Sequence, residues 1–98
     1  MIVVSDTSPL SSLAIIDYLS LLQQLYEQVL IPPAVADELA RGGEDDDRIT
    51  RVLSLDWIEV RQPTNLELIT MLESDSHLDR GEAEAIVLAL ELSADRIC

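Results

Sequence analysis

Several residue types are absent or scarce in this chain of 98 residues, and each scarcity excludes something. There is no phenylalanine and only one tryptophan, so a folded core must be built from Leu, Ile, Val and Ala. The single cysteine, Cys98, rules out an internal disulfide and is compatible with a reducing compartment. No apolar run approaches the roughly 18 residues of a membrane span, and the N-terminus lacks the features of a signal peptide. We therefore expect a cytoplasmic protein with no membrane partner.

Basic residues are also scarce. Lysine is absent, and six basic residues stand against 19 acidic ones, which gives a formal net charge of −13. Nucleic-acid binding usually shows a basic footprint, and this chain as a whole would repel a phosphate backbone. The balance favours cations, basic partners or simple solubility. The acidic run at 44–47 follows two glycines and is interpreted as a solvated loop, since it lacks the spacing of an EF-hand.

The pattern of what is present predicts one α/β domain. Apolar residues make up 48% of the chain, which excludes a disordered segment. Strands are predicted at 2–4, 29–31, 57–60 and from 95 onward, and helices at 9–16, 18–27, 33–40, 48–53, 65–73 and 80–93. The residues predicted to cap the N-termini of helices are Ser8, Asp17, Asp47, Asn65 and Asp79. Alternation of strands and helices indicates parallel pairing, hence a parallel sheet flanked by helices.

The printed chain stops as its last predicted strand begins, although a strand in such a sheet normally needs a covering helix. We expect either a truncated domain, with a C-terminal strand and helix missing, or a partner chain that supplies them. A second copy would cover the apolar surface left open, so a homo-oligomer is expected.

Three acidic residues occupy positions that a fold can bring together. Asp6 follows the first strand and precedes a helix, where open α/β sheets place their ligands. Glu38 lies beside the apolar side of the 33–40 helix, and Glu82 lies in the first turn of the 80–93 helix. Carboxylates from separate elements around one pocket bind Mg²⁺ or Mn²⁺, and such a site activates water for phosphodiester hydrolysis.

Each of these acids also has a purely structural interpretation. Asp6 is a turn residue if its carboxylate bonds nearby backbone amides. Glu38 is otherwise a solvated helix residue, and Glu82 has the spacing of a capping box with Asp79. Glu84 is the less favoured site position on the last helix.

Other polar residues carry weaker signals. His77 is expected to be exposed in a polar loop, 74–77. Arg41 and Arg80 lie near the acids in sequence and are either phosphate contacts or, as we prefer, ordinary surface arginines.

Three segments give the chain a resemblance to the PIN-domain family, which includes the toxin ribonucleases of toxin–antitoxin pairs. They are VVSDTSPL at 3–10, LIPPAVADEL at 30–39 and LDRGEAEAIVLA at 78–89. The third segment is most similar to a poorly characterised branch of that family. The resemblance implies a central parallel sheet flanked by helices, a divalent-metal site holding Mg²⁺ or Mn²⁺, and cleavage of single-stranded RNA.

Position by position, the resemblance implies that Asp6, Glu38 and Glu82 are the catalytic and metal-binding acids. It also implies that Ser8 orients a water or a phosphate. The family's fourth acidic position would follow Cys98, beyond the printed chain. Two hypotheses follow: a metal-dependent ribonuclease, the toxin of a pair with an antitoxin protein as its partner, or an inactive PIN-fold remnant that acts as an interaction or oligomerising module.

Overall fold

The computed structural model describes residues 2–15, 19–26, 28–42, 44, 46–94 and 96–97. These residues form a parallel sheet flanked by helices, which confirms the predicted α/β class. In chain order the elements are β1 (Ile2–Val4), α1 (Thr7–Ile15), α2 (Leu19–Leu25), β2 (Gln28–Ile31), α3 (Pro33–Gly42), α4 (Asp47–Thr50), a 3₁₀ helix (Arg51–Ser54), β3 (Ile58–Val60), α5 (Leu66–Asp75), α6 (Arg80–Glu91) and β4 (Arg96–Ile97). None of the described helices is both long and apolar enough to cross a membrane.

The strand order across the sheet is β3-β2-β1-β4, and all the pairs are parallel. Val4 lies opposite Leu30 of β2 and opposite Ile97 of β4, so β1 is a central strand. Parallel strands need crossover connections, which the intervening helices supply. The carboxyl ends of β1 and β2 consequently meet at one edge of the sheet, and α1 and α3 both start there.

The core is aliphatic and lies on both faces of the sheet. Because successive strand residues point to opposite faces, Val29 and Ile31 pack on one side of β2 while Leu30 packs on the other. The larger cluster joins the sheet to α1, α3 and the 3₁₀ helix through Leu10, Ala14, Val29, Ile31, Val35, Leu39, Val52, Trp57 and Ile58. A second cluster consists of Val4, Leu30, Ala85, Leu88 and Ala89 and packs α6 on the opposite face, and a third joins α6 to α5.

Two of the predicted helix starts are confirmed by hydrogen bonds. The Asn65 side chain accepts from the backbone N–H of Leu68 at 3.1 Å, and α5 begins directly after it. The Asp79 carboxylate accepts from the N–H of Glu82 at 2.8 Å, and α6 begins directly after it. Both side chains satisfy N–H groups that have no partner within the helix.

Two other helix starts were wrong by one or two residues. α1 begins at Thr7, so Ser8 lies inside the helix instead of capping it. The reason is that the Asp6 carboxylate accepts from the N–H of Thr7 at 2.7 Å. Asp46, not Asp47, caps α4: its backbone is extended, and its carboxylate accepts from both the N–H and the guanidinium of Arg48.

The lengths of several helices also differ from expectation. α4 ends at Thr50 and gives way to a 3₁₀ helix, whereas α5 runs two residues further than predicted, to Asp75, into the expected loop. α2 begins at Leu19; Asp17 and Tyr18 lie outside the described residues, as do Asp95 and Cys98 of the predicted last strand.

The spacing of Leu19, Leu22, Leu25 and Tyr26 predicts that these four apolar residues share one face of the second helix, and the structure confirms this only in part. Leu19, Leu22 and Tyr26 pack against the larger cluster, whereas the Leu25 side chain is 72% exposed. Positions 19, 22 and 26 recur at helical spacing on one narrow face, and position 25 falls outside that face.

The C-terminal end of α6 explains why this helix stops at Glu91 and does not continue to the predicted Ser93. Ser93 has a left-handed backbone with φ of 50°. The N–H of Ala94 bonds the carbonyl of Ala89 at 2.9 Å, and the N–H of Ser93 bonds that of Leu90 at 3.3 Å. This pair of bonds is a Schellman motif, in which glycine is the preferred residue at the left-handed position. Serine therefore holds a conformation that its Cβ disfavours.

Replacing Ser93 by glycine is expected to stabilise the protein by about 0.5–1 kcal/mol, because the left-handed backbone then carries no Cβ penalty. Urea unfolding followed by circular dichroism measures the free energy of unfolding. The matched control is Ser74→Gly within α5, where glycine only weakens the helix and the free energy of unfolding should fall. Equal destabilisation by both changes would contradict this account of the helix end.

Candidate functional site: an acidic group at the carboxyl edge of the sheet

Asp6 lies where the sequence placed it, just past β1 and directly before α1. Ser5, which is fully buried, continues the sheet by donating its N–H to the carbonyl of Leu30 at 3.0 Å. The Asp6 carboxylate then accepts from Thr7 N–H through Oδ1 and remains partly exposed. The structural and functional interpretations of Asp6 are therefore compatible, since one oxygen bonds the backbone at the mouth of the sheet.

Glu38 reaches the same region from α3. Val35 and Leu39 are fully buried against the sheet, and Glu38 lies beside them at the half-buried margin of the helix. Its Oε2 accepts a hydrogen bond of 2.7 Å from the hydroxyl of Thr7, the residue next to Asp6. Glu38 is thus held against the start of α1 and is not a freely solvated helix residue.

The first turn of α6 brings a third element to these two acids. A Cβ built on Gly81 would lie 2.6 Å from Oε1 of Glu38 and 3.5 Å from Oδ1 of Asp6. The Asp6 and Glu38 carboxylates therefore converge on one point of the α6 backbone. Glu82, the next residue, extends from the same turn.

The neighbouring acids affect the pKa of Glu82. The pKa of Glu82 is raised above its ordinary value, first by the charge of Asp79 and then by partial burial and the charge of Asp6. A hydrogen bond with Asp79 and the charge of Glu38 raise it further. Glu82 is therefore close enough to both other acids to be repelled by them.

The donor set fits a hard divalent cation, although the ligands are not gathered into a finished cage. Among the side chains that the structure describes, no three of Asp, Glu, His or Cys are grouped so that they could hold a metal ion. Mg²⁺ is commonly held by one or two carboxylates and keeps several waters. The convergence of Asp6 and Glu38 provides two such carboxylates, and the repulsion felt by Glu82 is what a cation would relieve.

Glu84 has a role that the sequence analysis missed. Its side chain is buried, with 7% of the residue exposed. Oε1 accepts from the N–H of Ala34, in the first turn of α3, at 3.1 Å, and Oε2 accepts from Arg80 Nε at 2.6 Å. Glu84 therefore fastens α3 to α6, the two helices that carry Glu38 and Glu82. The available signal was its place in the Ala83–Ala85 run, where an acid among small residues faces the packed side of the helix.

The remaining predicted residues are placed as follows. Arg80 pairs with both Glu84 and Glu73, and these hydrogen bonds raise its pKa. Arg41 is exposed in the last turn of α3, one turn beyond Glu38, and takes part in no ion pair with another described residue. His77 is exposed, as expected. The Ser8 side chain lies outside what the structure describes.

Fold and site together define an α/β domain with an acidic group at the carboxyl edge of a parallel sheet, the edge at which such sheets bind ligands. A family model described as a PIN domain matches residues 2–98. The chain belongs to the PIN-domain family, which confirms the resemblance. Nuclease action is the general activity of PIN domains, and they generally use divalent metal ions. No curated protein and no solved structure matches the chain.

Replacing Glu84 by alanine is expected to destabilise the fold by about 2 kcal/mol, because the partly buried N–H of Ala34 loses a charged acceptor. Glu82→Ala, two residues earlier on the same helix, is the control and should not lower the free energy of unfolding, because it removes a repelled charge and not a buried acceptor. Glu84→Gln keeps an acceptor for Ala34 and should recover part of the loss. Denaturant unfolding measures all three, and similar values for the two alanine variants would refute the role of Glu84.

Replacing Glu82 by glutamine is expected to raise the melting temperature of the metal-free protein at pH 7. The raised pKa means that the folded state binds a proton more readily than the unfolded state, so ionised Glu82 opposes folding at neutral pH. This penalty is present above the folded pKa and disappears as the pH falls to the ordinary range of a glutamate, where the two melting curves should converge.

Glu67→Gln, in the exposed first turn of α5, is the control for this titration. It reports the general effect of removing a negative charge from a helix start, where a negative charge is normally favourable. A melting temperature for Glu82→Gln that is no higher than that of Glu67→Gln at pH 7 would contradict the repulsion.

Proposed function

We propose that this protein is a metal-dependent ribonuclease that cleaves single-stranded RNA and uses Mg²⁺ or Mn²⁺. Asp6, Glu38 and Glu82 are its metal-binding and catalytic carboxylates in this proposal. The observation that supports it best is the convergence of the Asp6 and Glu38 oxygens on the first turn of α6. Membership of the PIN-domain family supports the same chemistry, because nuclease action with divalent ions is general there.

The roles of the residues follow from their positions. Asp6 and Glu38 would hold the ion, and Glu82 would complete the negative charge around it. When bound, a divalent ion supplies a water of lowered pKa and neutralises charge on the phosphodiester. Ser8, by its resemblance to the family pattern, would orient a water or a phosphate.

Binding of RNA by so acidic a chain requires a local source of positive charge. The metal ion is one such source. Arg41 is the second, because it lies one turn beyond Glu38 on α3 and its guanidinium forms no ion pair within the described part of the chain. Arg80 is not available in this way, since Glu84 and Glu73 hold it.

A toxin role with an antitoxin protein as partner extends the proposal. It rests on the resemblance to the toxin ribonucleases and on the net charge of −13, which favours a basic partner. Association of the chain with the product of a neighbouring gene is the measurement that bears on it.

Asp6→Asn is expected to abolish cleavage of a fluorescent single-stranded RNA in Mn²⁺ while the melting temperature stays close to that of the wild type. Asparagine can still accept from the N–H of Thr7, so the start of α1 is kept, but the negative charge that binds the ion is lost. Asp56→Asn, at an exposed turn far along the chain, is the control and should retain full activity.

Cleavage by Asp6→Asn at the wild-type rate would exclude Asp6 from the site. Absence of both cleavage and metal binding in the wild type would reject the ribonuclease itself. The interaction module of the second hypothesis would then be the better description of this chain.

A further inference from the structure

Glu38 poses a positioning problem that Asp6 does not have. The Asp6 carboxylate is one carbon from its backbone and is tied to the adjacent N–H of Thr7. A glutamate has three rotatable bonds, so its carboxylate sweeps a wide region unless other groups hold it. Among the described residues, two from outside α3 lie beside the Glu38 carboxylate, each next to a different oxygen.

The first group is the hydroxyl of Thr7. It donates a hydrogen bond of 2.7 Å to Oε2 of Glu38, a residue 31 positions later in the chain. A hydroxyl bonded to a carboxylate is among the stronger hydrogen bonds of proteins, since the acceptor is charged. Because Thr7 follows Asp6 directly, the same residue orients Asp6 through its backbone and Glu38 through its side chain.

The second group is the backbone of Gly81. Gly81 is buried in the first turn of α6, and none of the described glycines has a positive φ, so backbone conformation is not the reason for glycine there. The space is the reason: a Cβ would lie 2.6 Å from Oε1 and 3.4 Å from Cδ of Glu38. Any side chain at this position would therefore displace the Glu38 carboxylate from the place that it occupies beside Asp6.

We infer that Thr7 and Gly81 are paired positioning residues: the Thr7 hydroxyl holds one oxygen of Glu38, and the missing Cβ of Gly81 leaves room for the other. Together they keep the Glu38 carboxylate facing Asp6. The expected effect on metal binding rests on the proposed function. The positioning of the Glu38 carboxylate by Thr7 and Gly81 does not. Neither residue touches the ion in this scheme.

Calorimetric titration of the metal-free protein with Mn²⁺ tests the consequence. Thr7→Val keeps the shape of the side chain and removes the hydroxyl, and it should weaken binding by about 10-fold or more, the usual effect of losing a group that orients a ligand. Thr7→Ser restores the hydroxyl and should recover most of the affinity. A merely structural role for Thr7 would not produce this rescue.

Gly81→Ala should also weaken Mn²⁺ binding by about 10-fold or more. Its matched control is Gly42→Ala, another helical glycine, whose new Cβ would meet the side chain of Ile49 at 3.3 Å and no other described residue. Both changes favour helix formation over glycine, so the melting temperature reports any folding defect in either. Only Gly81→Ala should lose metal affinity.

A second measurement needs no metal. If Gly81→Ala displaces the Glu38 carboxylate, the hydrogen bond from Thr7 is already broken in that variant. Thr7→Val should then lower the melting temperature in the wild type and lower it much less in the Gly81→Ala background. Such a double-mutant cycle isolates the coupling between the two positions.

The outcomes separate the two proposals. Wild-type Mn²⁺ affinity in Thr7→Val and Gly81→Ala, with binding lost in Asp6→Asn, would overturn the positioning role and leave the proposed function standing. No binding by the wild type would reject the proposed function, and the cycle would then decide the positioning role alone. Equal effects of Thr7→Val in the two backgrounds would overturn it.

Discussion

The arrangement of the site depends on the hydrogen bonds of the buried Glu84 carboxylate. Burying a charge is unfavourable unless hydrogen bonds compensate it, and here a backbone N–H of α3 and the guanidinium of Arg80 do so. The bond from the N–H of Ala34 fixes the start of α3 against α6. Glu38 lies on α3, and Gly81 and Glu82 lie on α6. The hydrogen bond between these two helices therefore influences how close Glu38 and Glu82 come to each other.

Packing α3 against α6 also brings acidic side chains close enough to repel one another. Asp6, Glu38 and Glu82 come from three separate parts of the chain, and each is brought there by a local device: a strand end, an amphipathic helix and a capped helix start. The pKa of Glu82 is raised first by the charge of Asp79, then by partial burial and by the charges of Asp6 and Glu38, so its ionised form opposes folding at neutral pH. Holding these like charges together therefore lowers the stability of the fold, a pattern common at functional sites.

Much of the fold could be predicted because local signals agreed with the final packing. Asn65 and Asp79 were identified as caps from residue type and spacing, and the strand–helix alternation predicted the parallel sheet. The errors arose where a neighbour decided the outcome. The Asp6 carboxylate bonds the N–H of Thr7, and α1 begins there, earlier than predicted. Asp46 caps α4 in place of Asp47, and its carboxylate also binds the Arg48 guanidinium.

The places of the three acids in the fold were predictable to a similar degree, while their role as a site remains a prediction. The positions of Asp6, Glu38 and Glu82 followed from their places in the predicted elements and from the resemblance to the PIN-domain family. The contacts between them did not, since nothing in the sequence shows that Thr7 reaches Glu38 or that Gly81 abuts it. Within the sheet, Val3 pairs with Val29 on one side and with Arg96 on the other, so β1 is joined early on one edge and much later on the other. During synthesis on the ribosome, β1 and β2 can therefore pair before α6 emerges, and the approach of Glu38 to Asp6 is fixed only when that helix docks.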